Sequence, residues 1–296
     1  MAEAEERQWQ GTTDGTPWMH RALIFLMRIL PLLLVDFLMS LSIPFYLILK
    51  PQGYKSMYHY FRRRHGFGPV KSFFYVWYNH LVFGAVIMDR FACYAGKKFT
   101  VDVPDMKVYE DLCSAPEGFL QVSSHIGNDE MSGYVLKASK RINALAFGGE
   151  GSAISQNRAR QLESNNIRLV PIAEDLSHLV ILNNALADGE IVNIHCDRIF
   201  GSNKSIRCKV MGADADLPLG PFLLGAMREV PAIAVFTMKT GIRKYKALLF
   251  RLDEDLENTG RKERAEAMAR RYAACIDKVL KEYPEQWFNY YEFWND

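Results

Sequence analysis

Gly118-Phe-Leu-Gln-Val-Ser-Ser-His125-Ile-Gly-Asn-Asp-Glu130 is the stretch from which the fold can be read. Phe119, Leu120, Gln121 and Val122 make an apolar run of strand length that stops at the small polar pair Ser123-Ser124. Gly127-Asn128 follows as a turn and cap. Asp129 and Glu130 then stand in the first turn of a helix running through Met131, Tyr134, Val135 and Leu136, where carboxylates oppose the positive helix end. Strand, turn and helix in quick succession are the unit of an α/β sheet, and they leave His125 at a strand end facing a helix N-terminus.

A histidine placed there can take the proton of an attacking hydroxyl or amine if a carboxylate fixes its tautomer and stabilises the imidazolium. Glu130, five residues on, is the candidate for that group. Asp129 competes, but on a helix beginning near Asn128 the two side chains point about 100° apart, so only one can face back. The same spacing also fits a structural histidine beside a helix-capping acid.

Outward from this stretch the pattern alternates. Apolar runs of strand length fall at Ala144 to Phe147, Leu169 to Ile172, Ile191 to Ile194, Ile233 to Thr237 and Lys246 to Phe250. Helical patterns occupy 154–165, 175–188, 221–229 and the long 261–282, where Ala265, Met268, Tyr272 and Ile276 recur near helical spacing. Strands alternating with helices predict an α/β sheet covered on both faces. Asp197-Arg198 follows one such strand, so both side chains should emerge at a strand end, where α/β sheets place their ligands. His195-Cys196 beside them raises a thiol nucleophile, which the alternation of strand neighbours disfavours. The glycines of Phe147-Gly148-Gly149-Glu150-Gly151-Ser152 let backbone N–H groups approach an anionic headgroup or thioester oxygen, although alone they read as an ordinary turn; the Lys-Ser/Thr ending of a nucleotide loop is missing.

His125 to Glu130 resembles the H-x-x-x-x-D/E motif of the lysophospholipid acyltransferase superfamily, and more narrowly its lipid A late acyltransferase branch, in which the acid is usually Glu. Three later segments resemble that branch in the same order: Ala187 to Arg198, Gly212 through Pro218, Gly220 and Pro221, and Tyr283-Pro284-Glu-Gln-Trp287-Phe. The resemblance covers roughly residues 20 to 290. It implies a mixed central sheet flanked by helices, in the glycerol-3-phosphate acyltransferase-like fold, with the His motif at the sheet's C-terminal edge. It implies His125 as general base with Glu130 orienting it, and places the Gly148-Gly149 turn at the acceptor pocket. Arg158, ahead of Arg160, matches the branch's functional arginine, a group suited to gripping an acceptor phosphate or stabilising charge on a thioester oxygen. Asp197 and Arg198 would bind the acceptor. Relatives often carry Asp-Gln or a second Asp there, so Arg198 makes this site more cationic and leaves the acceptor open. Pro221 reads as the first residue of a helix.

Length and composition agree with one catalytic domain: 296 residues with 49% hydrophobic content can bury a large core, and no repeat divides them. The expected organisation is a leader over 1–20, an apolar and basic-aromatic helical membrane-associating region over 21–98, and the catalytic α/β region over 99–296. Residues 22–49 are strongly apolar but interrupted by Arg28, Pro31, Asp36 and Pro44; the charge-free part from Phe37 to Leu49 is shorter than the ~20 residues that span a bilayer, so an interfacial or re-entrant anchor is expected. The acidic leader and the missing small-x-small site argue against a cleaved signal peptide. Net charge is only +2, yet residues 50–98 carry nine Lys and Arg against Asp89 alone, interleaved with aromatics. That suits the headgroup zone of an anionic membrane, or an acidic acyl carrier protein, more than nucleic acid. Five scattered cysteines without a C-x-x-C pair suggest neither a disulfide framework nor a zinc site, and fit a reducing cytosolic face; with the resemblance, the expected location is the cytoplasmic face of the inner membrane.

The expected activity is therefore transfer of a fatty acyl group from an acyl thioester, on acyl carrier protein or coenzyme A, to a hydroxyl or amine of a lipid acceptor. No metal and no bound cofactor are expected, since the thioester is already a good electrophile. The alternatives are a hydrolase using the same pair to activate water, and a membrane-associated lipid-binding protein without the chemistry.

Overall fold

The computed structural model describes residues 17–49, 51–146, 162–163, 165–173, 175–199, 204–256 and 259–295. Its strands in chain order are β1 (Thr100–Asp102), β2 (Phe119–Ser123), β3 (Ile142–Ala146), β4 (Ile167–Pro171), β5 (Ile191–His195), β6 (Ser205–Val210), β7 (Ala213–Pro218), β8 (Ala232–Gly241) and β9 (Lys244–Arg251). Seven of them form one sheet in the order β1-β9-β8-β2-β5-β3-β4. Neighbours run parallel except β8 and β9, which form an antiparallel pair, so the sheet is mixed as the resemblance implied.

The sheet separates two cores. Side chains alternate across a strand, so Phe119, Ile191, Ile233 and Val235 face one side, with Tyr109 and Leu112 of a helix at Met106–Ser114. Leu120, Val122, Val192 and Ile194 face the other, against Phe222, Met268, Tyr272 and Ile276. Burial on both faces is why β2 reads as a nearly continuous apolar run rather than an alternating one. Truncating Leu120, which has no exposed surface, would cost about 2–5 kcal/mol.

The helices are α1 (Pro17–Ile29), α2 (Leu32–Ser40), α3 (Ile43–Leu49), α4 (Pro51–His59), which runs on into a π-helical turn at Tyr60–Arg64, α5 (Pro69–Tyr94), α6 (Met106–Ser114), α7 (Asp129–Val135), α8 (Ser177–Ala187), α9 (Leu219–Arg228) and α10 (Arg261–Glu282). Among the described residues one segment, Leu32–Leu49, is long and apolar enough to cross a membrane, with mean hydropathy 2.2 and 17% of it buried. It exceeds the charge-free run from Phe37 because it includes Asp36, a single charge. Phe37, Phe45, Ile48 and Leu49 point outward, as do Phe73 and Phe74 of α5. Of the basic residues expected on the surface, Arg62 and Arg63 are exposed, whereas Arg90 turns inward to the loop after β2.

Two elements escape the sequence pattern. β1 is only three residues long, and β6 and β7 form a separate two-stranded hairpin whose loop, Met211-Gly212, has positive φ at both positions. The helix expected from Pro221 begins instead at Leu219 with Pro218 as its cap. Gly148, Gly149 and Arg158, with most of the helix expected over 154–165, lie outside the described residues.

The loop that carries His125 is fixed at Gly127. Its φ is +69°, and a Cβ there would lie 2.3 Å from the Thr237 carbonyl oxygen of β8. The approach is close because the Gly127 N–H donates to Gln286 O and the Asn128 N–H to Thr237 O, each at 2.7 Å. Gly127→Ala is therefore expected to lower stability by about 2 kcal/mol or more. Denaturant unfolding in detergent micelles checks this, and an unchanged midpoint would refute it.

Candidate active site

His125 stands two residues past the end of β2, and Asp197 two residues past the end of β5. The strands are parallel and in register, with Ser123 opposite His195. Continuing each by two residues brings His125 and Asp197 face to face. The Asp197 carboxylate then grips the histidine twice: Oδ2 accepts the His125 backbone N–H at 2.9 Å, and Oδ1 lies 2.9 Å from the ring Nδ1. Trp287 Nε1 sits 3.5 Å from Oδ2, and the carboxylate is 1% exposed.

Burial would raise the Asp197 carboxyl, but the facing His125, followed by Arg198 and His195, holds it well below the usual carboxylate range. Burial also disfavours the imidazolium of His125, and with Arg198 and His195 nearby it lowers the ring to about 4 against the pull of Asp197. At neutral pH an ionised carboxylate thus faces a neutral imidazole. A carboxylate can only accept, so Nδ1 carries the hydrogen and Nε2 offers its lone pair. The side chain is 34% exposed, so part of the ring meets solvent.

The carboxylate in contact with His125 is therefore Asp197, not the Glu130 expected from the motif. No hydrogen bond joins Glu130 to His125; its Oε1 accepts the Tyr94 hydroxyl, and its Oε2 lies 3.9 Å from Arg90 NH1. Since α7 starts at Asp129, its first turn directs Glu130 toward α5. Arg90 Nε also donates to Asn128 Oδ1 at 3.2 Å, so α5 holds both ends of the turn. Asp129 does not reach His125 either: its Oδ2 is 3.1 Å from Nε2 of His195, whose ring stacks on His125 with centroids 4.8 Å apart. Asp197, expected to meet the acceptor, is engaged by His125. Arg198 donates to Phe288 O at 2.9 Å and tethers the C-terminal segment.

That segment closes the site from behind. The Phe288 N–H donates to His125 O at 2.9 Å, the Tyr291 hydroxyl to Asp197 O at 3.0 Å, and Gln286 brackets Lys239 of β8 through both its N–H and its carbonyl. Cys196 is fully buried and its thiol is pushed well above the ordinary range, so it is no thiolate nucleophile. Among the described residues no group of three or more His, Cys, Asp or Glu side chains can hold a metal ion. The contact of Asp197 with His125 had a signal in the sequence: Asp197 stands as far beyond Ile191 as His125 stands beyond Phe119, and two parallel neighbours with equal offsets meet.

A family model described as bacterial lipid A biosynthesis acyltransferase matches residues 97–295, well over half of the chain. No curated protein matches it.

Two measurements follow. Asp197→Asn, which keeps the shape but can hold the wrong tautomer, is expected to lower kcat by about 10²-fold to 10⁴-fold; retention of near-normal turnover would remove Asp197 from the orienting role. A base lowered to about 4 stays unprotonated through the range where a free histidine titrates. The acid limb of kcat/KM should accordingly fall well below pH 6.5, provided circular dichroism shows the fold intact; a midpoint at the free-histidine value would contradict the burial argument.

Proposed function

Because the chain belongs to the bacterial lipid A biosynthesis acyltransferase family, and so transfers acyl groups to lipids, we propose that His125 deprotonates a hydroxyl or amine of a lipid acceptor for attack on a fatty acyl thioester. The observation that carries this is the double contact of the Asp197 carboxylate with His125, which fixes the tautomer that exposes a basic nitrogen. The acceptor oxygen or nitrogen forms its bond to the thioester carbon, the C–S bond breaks, and the proton taken by His125 leaves with the thiolate. No acyl-enzyme is needed, and the buried Cys196 supports none.

Glu130 serves this reaction by tying the catalytic loop to α5 through Tyr94 and Arg90. Arg158 and the Gly148-Gly149 turn are the proposed contacts to the thioester oxygen or headgroup, and Arg198 flanks the acceptor side. The donor is acyl carrier protein or coenzyme A thioester, species of the cytoplasm, so the proposed location is the cytoplasmic face of the inner membrane. Residues 21–98 form the membrane-associating part, supported by the apolar segment Leu32–Leu49, and 99–296 the catalytic part.

Purified protein in mixed micelles, given each donor with and without an extract of bacterial lipids, should yield acylated lipid by mass spectrometry. Release of free fatty acid alone would make it a hydrolase instead. His125→Ala should reduce transfer by about 10²-fold to 10⁴-fold while remaining folded; a folded variant with near-normal transfer would rule out the mechanism.

A further inference from the structure

Basic segments from opposite halves of the chain meet at one end of the sheet. The β8–β9 hairpin turns at Ile242-Arg243, and Arg243 donates to Lys98 O through Nε at 2.7 Å and through a terminal N–H. The Arg243 carbonyl accepts the Thr100 N–H at 2.9 Å, and Lys97 Nζ donates to Leu30 O at 3.1 Å. The hairpin tip, the loop after α5 and the junction of α1 with α2 thus form one surface.

The charge of that surface has one sign. Arg28, Lys98, Arg243 and Lys244 are exposed on it, and the segments that supply it, 17–35, 90–101 and 239–252, contain no Asp or Glu. Beside Arg243 stands Ile242, 53% exposed, and the surface continues into Ile29 and Leu33 of the N-terminal helices, 63% and 60% exposed. The opposite sign lies at the other end of the same two strands, where Asp253, Glu254 and Asp255 follow β9. β8 has 10 residues, which sets the two ends about 30 Å apart.

The turn itself asks for neither of its residues. Two-residue hairpin turns favour Gly, Asn or Asp. Here Arg243 has φ +56°, a conformation L side chains disfavour, and Ile242 meets water. Both suit an interface where an apolar side chain enters the headgroup zone and cations meet phosphates.

We propose that this tip is a second membrane contact, at which Ile242 enters the headgroup zone of an anionic leaflet and Arg28, Lys98, Arg243 and Lys244 meet its phosphates. The proposal rests on the reading of residues 21–98 as membrane-associating and carries the contact into the catalytic half. A leaflet meets the cations and the contiguous apolar face with a single surface, whereas an acidic carrier protein answers the cations alone. Tyr245, two residues past Arg243, accepts from Asn128 in the turn after His125 at 3.2 Å, so the contact fixes how far His125 stands from the lipid surface.

The test adds the full-length protein to phosphatidylcholine vesicles with and without phosphatidylglycerol. Ile242→Cys, Phe37→Cys and Glu254→Cys are each labelled with a polarity-sensitive fluorophore, the signal from the native cysteines is subtracted using the unsubstituted protein, and quenching by aqueous acrylamide is read. At position 242 the label should be shielded in phosphatidylglycerol vesicles, and quenched in phosphatidylcholine alone or in about 1 M salt, which shortens the screening length to about 3 Å. At position 37 it should be shielded in both lipids, and at position 254 quenched in both. Lys98→Gln with Lys244→Gln, both exposed side chains, should lower the ratio of shielded to quenched label at position 242 about 30-fold, the worth of two basic groups at an anionic surface. Quenching at 242 as free as at 254, with 37 shielded, would overturn the tip contact and leave the membrane reading of 21–98 in place. Free quenching at 37 as well would overturn both. Shielding at 242 that ignores the two lysines, or that arises only when acyl carrier protein is added, would overturn the anionic leaflet as occupant.

Discussion

One parallel register holds the site together. With Ser123 opposite His195, the chain beyond each strand end has no freedom to place its histidine and aspartate anywhere but against the other's. Asp197 then acts on both backbone and ring of His125, which sets position and tautomer with one buried group. A carboxylate with almost no exposure survives there because it receives several donors at once, while the same burial keeps the facing imidazole neutral. A slip of that register by one residue would point His125 to the opposite face and leave Asp197 charged in an apolar core.

The second support comes from outside the sheet. Asn128, in the turn after His125, accepts from Arg90 and donates to the Tyr245 hydroxyl at 3.2 Å; Tyr245 donates to Asp89, which also pairs with Lys239 at 2.5 Å. Asp89 and Asn128 have no exposed surface. Such a network is costly to break, about 3–5 kcal/mol for one partner of a buried ion pair, and so it fixes α5 against β8 and β9. The turn after His125 is held between that network and the C-terminal segment, which reaches it through Gln286 and Phe288.

The sheet was legible because burial on both faces makes each central strand an apolar run, and six such runs mark β2, β3, β4, β5 and β9 to within about two residues and β8 all but its last four, Met238 to Gly241. β1 was too short to leave a pattern, and the β6–β7 turn uses Met211 where Asn or Asp would have signalled a hairpin. At the site, His125 could be read from its strand end. Its partner could not be read from local spacing, because Glu130 is near in sequence and Asp197, 72 residues away, is near in space. Where Asp129 and Glu130 point depends on what lies beyond the helix: α5 offers Tyr94 and Arg90 to one, and the end of β5 offers His195 to the other. Neither neighbour follows from the helical period.

The match to the family begins at residue 97, yet α5, which ends at Tyr94, belongs to the site. One side of α5 carries Arg90 and Tyr94 to the turn after His125, and Asn79 to the carbonyls of Glu285 and Trp287. Another side is sheathed by the N-terminal helices: Met27, Leu32 and Val35 pack on Ala92, and Tyr46 lies 5.8 Å from His80. The outer faces of those helices are apolar and exposed. Helices are about 10 Å thick, so an apolar phase against that face would lie only a few helix-widths from His125. A lipid can keep its tails in such a phase while its headgroup reaches the base, which a water-soluble acceptor would have no need to do. The buried ion pair of Asp89 and Lys239 thus has a geometric consequence: it fixes the separation between the apolar sheath and the imidazole, and with it the depth from which a nucleophile can be presented.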